Sequence, residues 1–245
     1  MGQKLIYVPE CHSTNSALSD LLDHADLPEG TTFVTSHQTQ GRGQRGNSWE
    51  SGQGDNLTFS VLLRPRFLAA MDQFRLNMAV ALGIVDALDT LVPDNLALKW
   101  PNDILVGSRK VGGVLIENQS QGQQLSVSVI GIGLNVNQPE MTVPGATSLI
   151  QVVGSELDLN DLYQHLLTHL EARYIDLRAG GFELLHTQYL ERLYRYQVLQ
   201  DFESNGNLFQ GTIVDVDESG RLCVKVKDSI KKYSLKEIRM VLSES

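Results

Sequence analysis

An α+β fold, built on an antiparallel or mixed sheet with helices and ending in a small barrel of short strands, is what this sequence predicts. Three observations carry the expectation. Residues 96–135 read as strands joined largely by hairpins, and residues 72–91 as one long helix that is apolar around most of its circumference. From Tyr196 onward the chain becomes a succession of short strands with turn signals between them.

The elements follow in order. Residues 5–8 suggest an opening strand, and Ser13, Thr14 and Asn15 offer N-cap chemistry to an apolar-periodic stretch through Ala17, Leu18, Leu21 and Leu22. Residues 31–36 and 56–63 read as strands on either side of a glycine-rich loop. The long helix over 72–91 follows, central and buried by its pattern (Phe74, Met78, Val80, Leu82, Ile84, Val85, Leu88). Strands over 96–100 and 104–106 bracket Pro101, Asn102 and Asp103, and strands over 110–117 and 125–135 flank a polar turn at 119–124. Helical periods return at 159–177 and 182–194. A domain boundary is expected near Arg195, dividing the chain into 1–195 and a barrel of about fifty residues at 196–245. Lysines 225, 227, 231, 232 and 236 make that tail locally basic, as a solvated strand face would be.

With 245 residues, 42% of them hydrophobic, the chain can bury a full core. A formal net charge of -9 argues against general nucleic-acid binding but leaves room for a local basic pocket. No apolar run is long enough to suggest a membrane span. The apolar stretch at the N-terminus is too short for a signal peptide, and Ile6 stands where a myristoylation motif needs Ser or Thr, so a cytoplasmic location is expected. Cys11 and Cys223 have neither metal nor redox spacing and read as small buried thiols. His165 and His169 have zinc-ligand spacing, but Leu166 replaces the Glu such a motif needs, and no nucleophilic triad is recognisable.

Chemistry concentrates in five short stretches. Residues 41–46, GRGQRG, have the glycine spacing of a dinucleotide-binding fingerprint, but no helical period follows them and no acid lies about 20 residues on. What remains is a glycine-rich loop that could bring N–H groups, Arg42 and Arg45 to an anion, or a solvated turn. In KWPND, Pro101 ends regular pairing and leaves Asn102 and Asp103 either as a hairpin turn or as oxygen ligands for magnesium beside a polyphosphate. In KVGGVLIE, Lys110 precedes Gly112 and Gly113, where missing side chains would let a ligand approach the backbone and the lysine could meet its carboxylate or phosphate. Asn135 and Asn137, in GIGLNVN, are turn formers or ligands, and Ser13, Thr14 and Asn15 supply hydroxyls and free N–H groups at a helix start.

Taken jointly, STN, GRGxRG followed by Trp, KWPND, KxxGxLIE and GxGxN resemble, in order and approximate spacing, the motifs of the biotin protein ligases. The motifs span about residues 5–195, and the tail resembles the SH3-like barrel that ends that family. The resemblance implies a class II aminoacyl-tRNA synthetase-like catalytic domain with a mixed, largely antiparallel sheet flanked by helices. It also implies a two-step reaction. Biotin and Mg-ATP give biotinyl-5′-AMP and pyrophosphate, and the acyl group then passes to one lysine of a biotin carboxyl carrier protein, such as that of acetyl-CoA carboxylase, releasing AMP.

By resemblance, Ser13, Thr14, Asn15 and Gln38 hold the ureido end of biotin, and Gly41, Arg42, Gly43 and Gln44 form a lid over the acyl-adenylate, with N–H groups near Arg42 and Gly43 meeting its charge. Lys110 bridges the biotin carboxylate and the α-phosphate, and Gly113 lets the backbone approach biotin. Arg42, Arg45, Trp49, Asn102 and Asn135 serve ATP, Asp103 serves magnesium, and Lys110, Arg45 and Asp103 form the catalytic set. These residues suit a step that pushes a carboxylate onto a phosphate, because such a step needs repulsion cancelled more than it needs a nucleophile. The sequence departs from the family at Gln44, where Arg is common, and it begins directly at the catalytic domain, so DNA binding is not expected. A homodimer is compatible with the resemblance. The rival readings are a lipoate-protein ligase, whose loop typically carries Arg-x-x-Gly-Gly-Gly, and a catalytically silent biotin or nucleotide sensor.

Overall fold

In the computed structural model, which describes residues 1–50, 52–92 and 95–241, two sheets carry the chain. The larger has seven strands in the order β1-β2-β3-β7-β6-β5-β4. These are β1 (Leu5–Cys11), β2 (Thr32–Gln38), β3 (Leu57–Leu63), β4 (Leu96–Lys99), β5 (Asp103–Val106), β6 (Arg109–Gln121) and β7 (Gln124–Leu134). Only β1 and β2 pair in parallel, with the crossover helix α1 (Thr14–Leu22) between them; the other pairs are antiparallel. The sheet is therefore mixed and largely antiparallel, as expected.

Strand β3 shows why the sheet sits where it does. All seven of its residues are buried. Because side chains alternate across a strand, Leu57, Phe59, Val61 and Leu63 enter the main core, while Leu62 joins Leu18, Leu27, Phe33 and Val129 under α1. The main core lies beneath α2 (Gln73–Leu88), whose residues are buried on nearly every side, and α4 (Leu159–Arg178) and α5 (Phe182–Glu191) pack on it in turn. A partly buried pair braces this layer, with Arg173 Nε 2.5 Å from Asp86 Oδ2. The remaining helix, α3 (Leu149–Val153), is too short to show a period in the sequence and was not anticipated.

The hairpin between β6 and β7 is longer and tighter than its composition suggests. The polar run at 119–124 is strand almost throughout, with the turn confined to Gly122 (φ +64°) and Gln123. Backbone pairing continues there without an apolar face because both sides of the ribbon are exposed. Cys223 is buried as expected, whereas Cys11, at the end of β1, is only partly so.

Beyond α5, Arg195 and Gln197 both take left-handed φ values, and a second, five-stranded antiparallel sheet follows. It contains β8 (Leu199–Ser204), β9 (Asn207–Val216), β10 (Leu222–Val226), β11 (Ser229–Tyr233) and β12 (Arg239–Met240) in the order β11-β10-β9-β8-β12. Asn205 and Gly206, with φ of 51° and 75°, close the two-residue β8–β9 hairpin that the Asn-Gly pair predicts. The core of this sheet is continuous with that of the main body: Phe202, Ile213, Val216 and Leu222 belong to the cluster that contains Phe74 and Tyr189. Trp100 Nε1 donates to Gly220 O across the junction at 2.9 Å.

Candidate functional site

A cavity of about 310 Å³ opens on the α1 face of the large sheet. Its floor follows from strand alternation. On β3, Thr58 and Ser60 share the face of Leu62; opposite them on β7 stand Gly133 and Gly131, and opposite those on β6 stand Gly113 and Leu115. Three glycines on neighbouring strands thus leave a strip of sheet without side chains, and each is covered by a residue from elsewhere. A Cβ added at Gly131 would lie 2.4 Å from Asn15 Oδ1, one at Gly133 2.4 Å from the Trp49 ring, and one at Gly113 3.3 Å from Lys110 Nζ.

At one end of the strip the groups are neutral and polar. Ser13, Thr14 and Asn15 are all buried at the start of α1. Ser13 is the N-cap residue but its side chain makes no cap bond; instead Thr14 N donates to Gln38 Oε1 at 2.8 Å, so β2 satisfies the helix start. Thr14 Oγ1 donates to the same oxygen at 3.3 Å. The fully buried Ser60 hydroxyl donates to Asn15 Oδ1 at 2.6 Å and lies 2.8 Å from Thr14 Oγ1.

The other end is charged. Lys110 Nζ lies 2.6 Å from Asp103 Oδ1, with both side chains partly buried, and 5.6 Å from the centre of the Trp49 ring. The Asn102 amide is anchored by donating to Val114 O at 2.7 Å. Trp49 Nε1 and Gln44 Oε1 are buried without a partner among the described residues, an arrangement that costs free energy unless another group supplies one. Arg42, Gly43, Gln44, Ser48 and Trp49 line the loop side of the cavity, and Trp100, Ile238, Arg239 and Met240 extend the wall to the second sheet. One end can therefore take a neutral ring rich in donors and acceptors, and the other an anion next to a cation.

Residues 7–135 match the Biotin/lipoate A/B protein ligase family. The chain belongs to that family. It is 31% identical to the bifunctional ligase/repressor BirA of Bacillus subtilis (strain 168), covering 98% of this chain and 75% of that protein. It is also 31% identical to the biotin--[acetyl-CoA-carboxylase] ligase of Mycobacterium tuberculosis, over 91% of this chain and 84% of the relative. Among solved structures it resembles the biotin protein ligase from Aquifex aeolicus in complex with biotin and ATP, with a TM-score of 0.81, 26% identity, and coverage of 98% of this chain and 100% of that one.

Most of the family residues expected from the sequence converge on the cavity: Ser13, Thr14, Asn15, Gln38, Arg42, Gly43, Gln44, Trp49, Asn102, Asp103, Lys110 and Gly113 all line it. Five details differ from expectation. Asn135 does not line it; it is 3% exposed, its amide donates to Thr147 O at 3.0 Å and its backbone N–H to Val111 O at 2.8 Å. β7 ends at Leu134, so the alternation that aims Gly131 and Gly133 at the cavity stops before Asn135, whose amide instead bonds the carbonyl of the buried Thr147. Gly41 also stands back, because it packs on the Trp49 backbone: an added Cβ would lie 2.3 Å from Trp49 O. The Gly43 N–H is already given to Asn47 O at 2.7 Å, closing the loop on itself. The Arg42 guanidinium turns to Glu117, 2.5 Å away, and Asp103 and Lys110 face each other. The Arg45 side chain lies outside the described residues.

Sequence reasoning missed Ser60, Glu117, Gly131 and Gly133. The signals were present: two hydroxyls spaced by two, Thr58 and Ser60, in the otherwise apolar run TFSVLL, and two glycines spaced by two in GIGL, each pair lying on one face of a strand.

Proposed function

We propose that the chain is an ATP-dependent biotin ligase that activates biotin to biotinyl-5′-AMP and transfers it to a lysine of the biotin carboxyl carrier protein of an acetyl-CoA carboxylase. The observation that carries this reading is the polarity of one continuous cavity, with the neutral amides and hydroxyls of Asn15, Thr14, Gln38 and Ser60 at one end and the Lys110–Asp103 pair at the other. Biotin has the matching form, a neutral ureido ring joined by an apolar stem to a carboxylate. The family membership and the M. tuberculosis relative named as a biotin--[acetyl-CoA-carboxylase] ligase support the same reading.

In this mechanism Asn15, Thr14 and Gln38 orient the ring, and the missing side chains of Gly131, Gly133 and Gly113 let Asn15, Trp49 and Lys110 close down on the sheet around the stem. The Lys110 ammonium holds the carboxylate against the α-phosphate and offsets the charge that accumulates there; this is electrostatic preorganisation, and it requires no covalent enzyme intermediate. Trp49 and the glycine-rich loop keep water from the mixed anhydride. A single carboxylate beside a polyphosphate site suits magnesium, which keeps most of its ligands as water and phosphate oxygens, so Asp103 is the residue that would hold it. Bound there, magnesium would neutralise phosphate charge. Arg42, Arg45 and Asn102 remain proposals for the nucleotide side. The finer fold reading is likewise proposed: a class II synthetase-like body over 1–195 and an SH3-like barrel over 196–245. No described helix is long and apolar enough to cross a membrane; a cytoplasmic location and a possible homodimer are proposals that do not rest on this.

The test is biotin-dependent exchange of labelled pyrophosphate into ATP, followed by labelling of an apo-carrier domain. Exchange with biotin, but not with lipoate, is expected. Exchange with lipoate alone would make the protein a lipoate ligase, and tight biotin binding without any exchange would make it a sensor.

A further inference from the structure

The KVGGVLIE stretch ends in Glu117, which reaches the cavity face of β6 by the same alternation that aims Gly113 and Leu115 there. One oxygen of its carboxylate serves two parts of the site. Oε2 accepts from Asn15 Nδ2 at 2.9 Å and from Arg42 Nη2 at 2.5 Å. Asn15 belongs to the neutral floor, and Arg42 belongs to the glycine-rich loop above it. Behind Asn15 the contacts continue through Ser60 and Thr14 to Gln38, so one hydrogen-bonded path runs from the floor of the cavity to the loop arginine.

We infer that Glu117 is a positioning residue that latches the glycine-rich loop over the cavity through Arg42 and ties that latch to the orientation of Asn15. The inference rests on the reading of this cavity as the biotin site, and assigns Arg42 a task distinct from contact with a phosphate. The Arg42 and Glu117 side chains are 44% and 39% exposed. A pair this exposed adds little to global stability. Its effect falls on the loop, where the three glycines of GRGQRG give the chain many alternative conformations and one anchor shifts the balance toward the closed one. A ligand that fixes Asn15 also fixes the acceptor that Arg42 needs, so the loop closes more firmly over an occupied floor. Glu117 touches neither reacting group.

The experiment compares the parent with Glu117→Ala, Glu117→Gln, Arg42→Ala and the double variant Glu117→Ala/Arg42→Ala. Biotin dissociation is followed by stopped-flow tryptophan fluorescence. Each Ala variant should release biotin about five-fold faster, equivalent to about 1 kcal/mol. The double variant should be no faster than either single one, and Glu117→Gln, which keeps an acceptor for Asn15 without the charge, should fall between. Association rates should match the parent, as should the urea midpoint of Arg42→Ala, whereas Glu117→Ala also gives up its bond to Asn15 and should lower the midpoint modestly. Without ligand, trypsin should cut after Arg45 faster in both Ala variants. Release at the parental rate in Glu117→Ala, or effects that multiply in the double variant, would overturn the latch. Unchanged nicking would overturn it whatever the ligand is, whereas a parent that fails to bind biotin in calorimetry would instead sink the biotin reading.

Discussion

Replacing Gly131 by Ala tests the construction of the floor with a single methyl group. The new Cβ would sit 2.4 Å from Asn15 Oδ1 and 3.0 Å from Asn15 Cγ. Ordinary contact needs about 3.5 Å, so the amide must retreat by about 1 Å. Asn15 is 2% exposed and held by Ser60, Glu117 and Leu115 O, and therefore cannot move without giving up bonds. Loss of one buried hydrogen bond costs about 1.5 kcal/mol, and residual overpacking costs about 1.5 kcal/mol more. Removing a strand glycine returns about 0.7 kcal/mol. The net loss is about 2 kcal/mol, which lowers the melting temperature of a chain of this size by about 4–8 °C. Biotin affinity should fall more steeply, by about 10–100-fold, because the displaced amide no longer faces the ureido ring and leaves polar groups unpaired. Calorimetric titration and thermal unfolding monitored by circular dichroism measure the two effects. A Gly131→Ala protein with parental melting and parental biotin affinity would refute the placement of Asn15 as the floor.

Lys110→Ala removes the cation from the charged end and leaves Asp103 facing the phosphate unneutralised; pyrophosphate exchange should drop at least about 100-fold with a melting temperature near the parental one. Asp103→Asn should raise the magnesium concentration needed for exchange while leaving biotin binding without nucleotide near parental, and a parallel collapse of both would mark the residue as structural. In the turn between β9 and β10, burial acts to raise the pKa of Asp217, but hydrogen bonds from the Ser219 hydroxyl, Arg221 and Lys232 outweigh it and pull that carboxyl far below the usual range. A depressed folded-state pKa stabilises the protein above the unfolded value, near pH 4, and that contribution is lost as the pH falls further. Asp217→Asn should therefore lower the urea midpoint at neutral pH and flatten its decline below about pH 4, and an unchanged acid limb would show that the turn contributes nothing.

Much of the site was legible because the family motifs are local. Lys110, Asp103 and the Ser13-Thr14-Asn15 step stand where strand ends and a helix start must expose their groups, and the structure brings them together. Asn135 stands apart from the cavity lining because its side chain answers to Thr147, a partner no local pattern predicts. Ser60 and Glu117 were passed over for the opposite reason: each looks unremarkable in its own strand and acquires a role only when β3, β6 and α1 are placed side by side. The fold was read well where periodicity was strong, as in β3 and α2. It was read less well in the polar β6–β7 hairpin, where backbone pairing alone holds the strands.

The strip of glycines at 113, 131 and 133 has a thermodynamic meaning as well as a steric one. A sheet surface normally shields its own ladder with side chains, and here three adjoining positions provide none, so the cover comes from Asn15, Trp49 and Lys110, which also line the cavity. A ligand that holds those three side chains in place therefore acts on the sheet beneath them. Amide hydrogens of β6 and β7 beneath the strip should exchange more slowly with biotin present, while those of the second sheet's outer edge, β11, keep their rates. Binding energy and folding energy would in that case be drawn from the same few square ångströms of backbone.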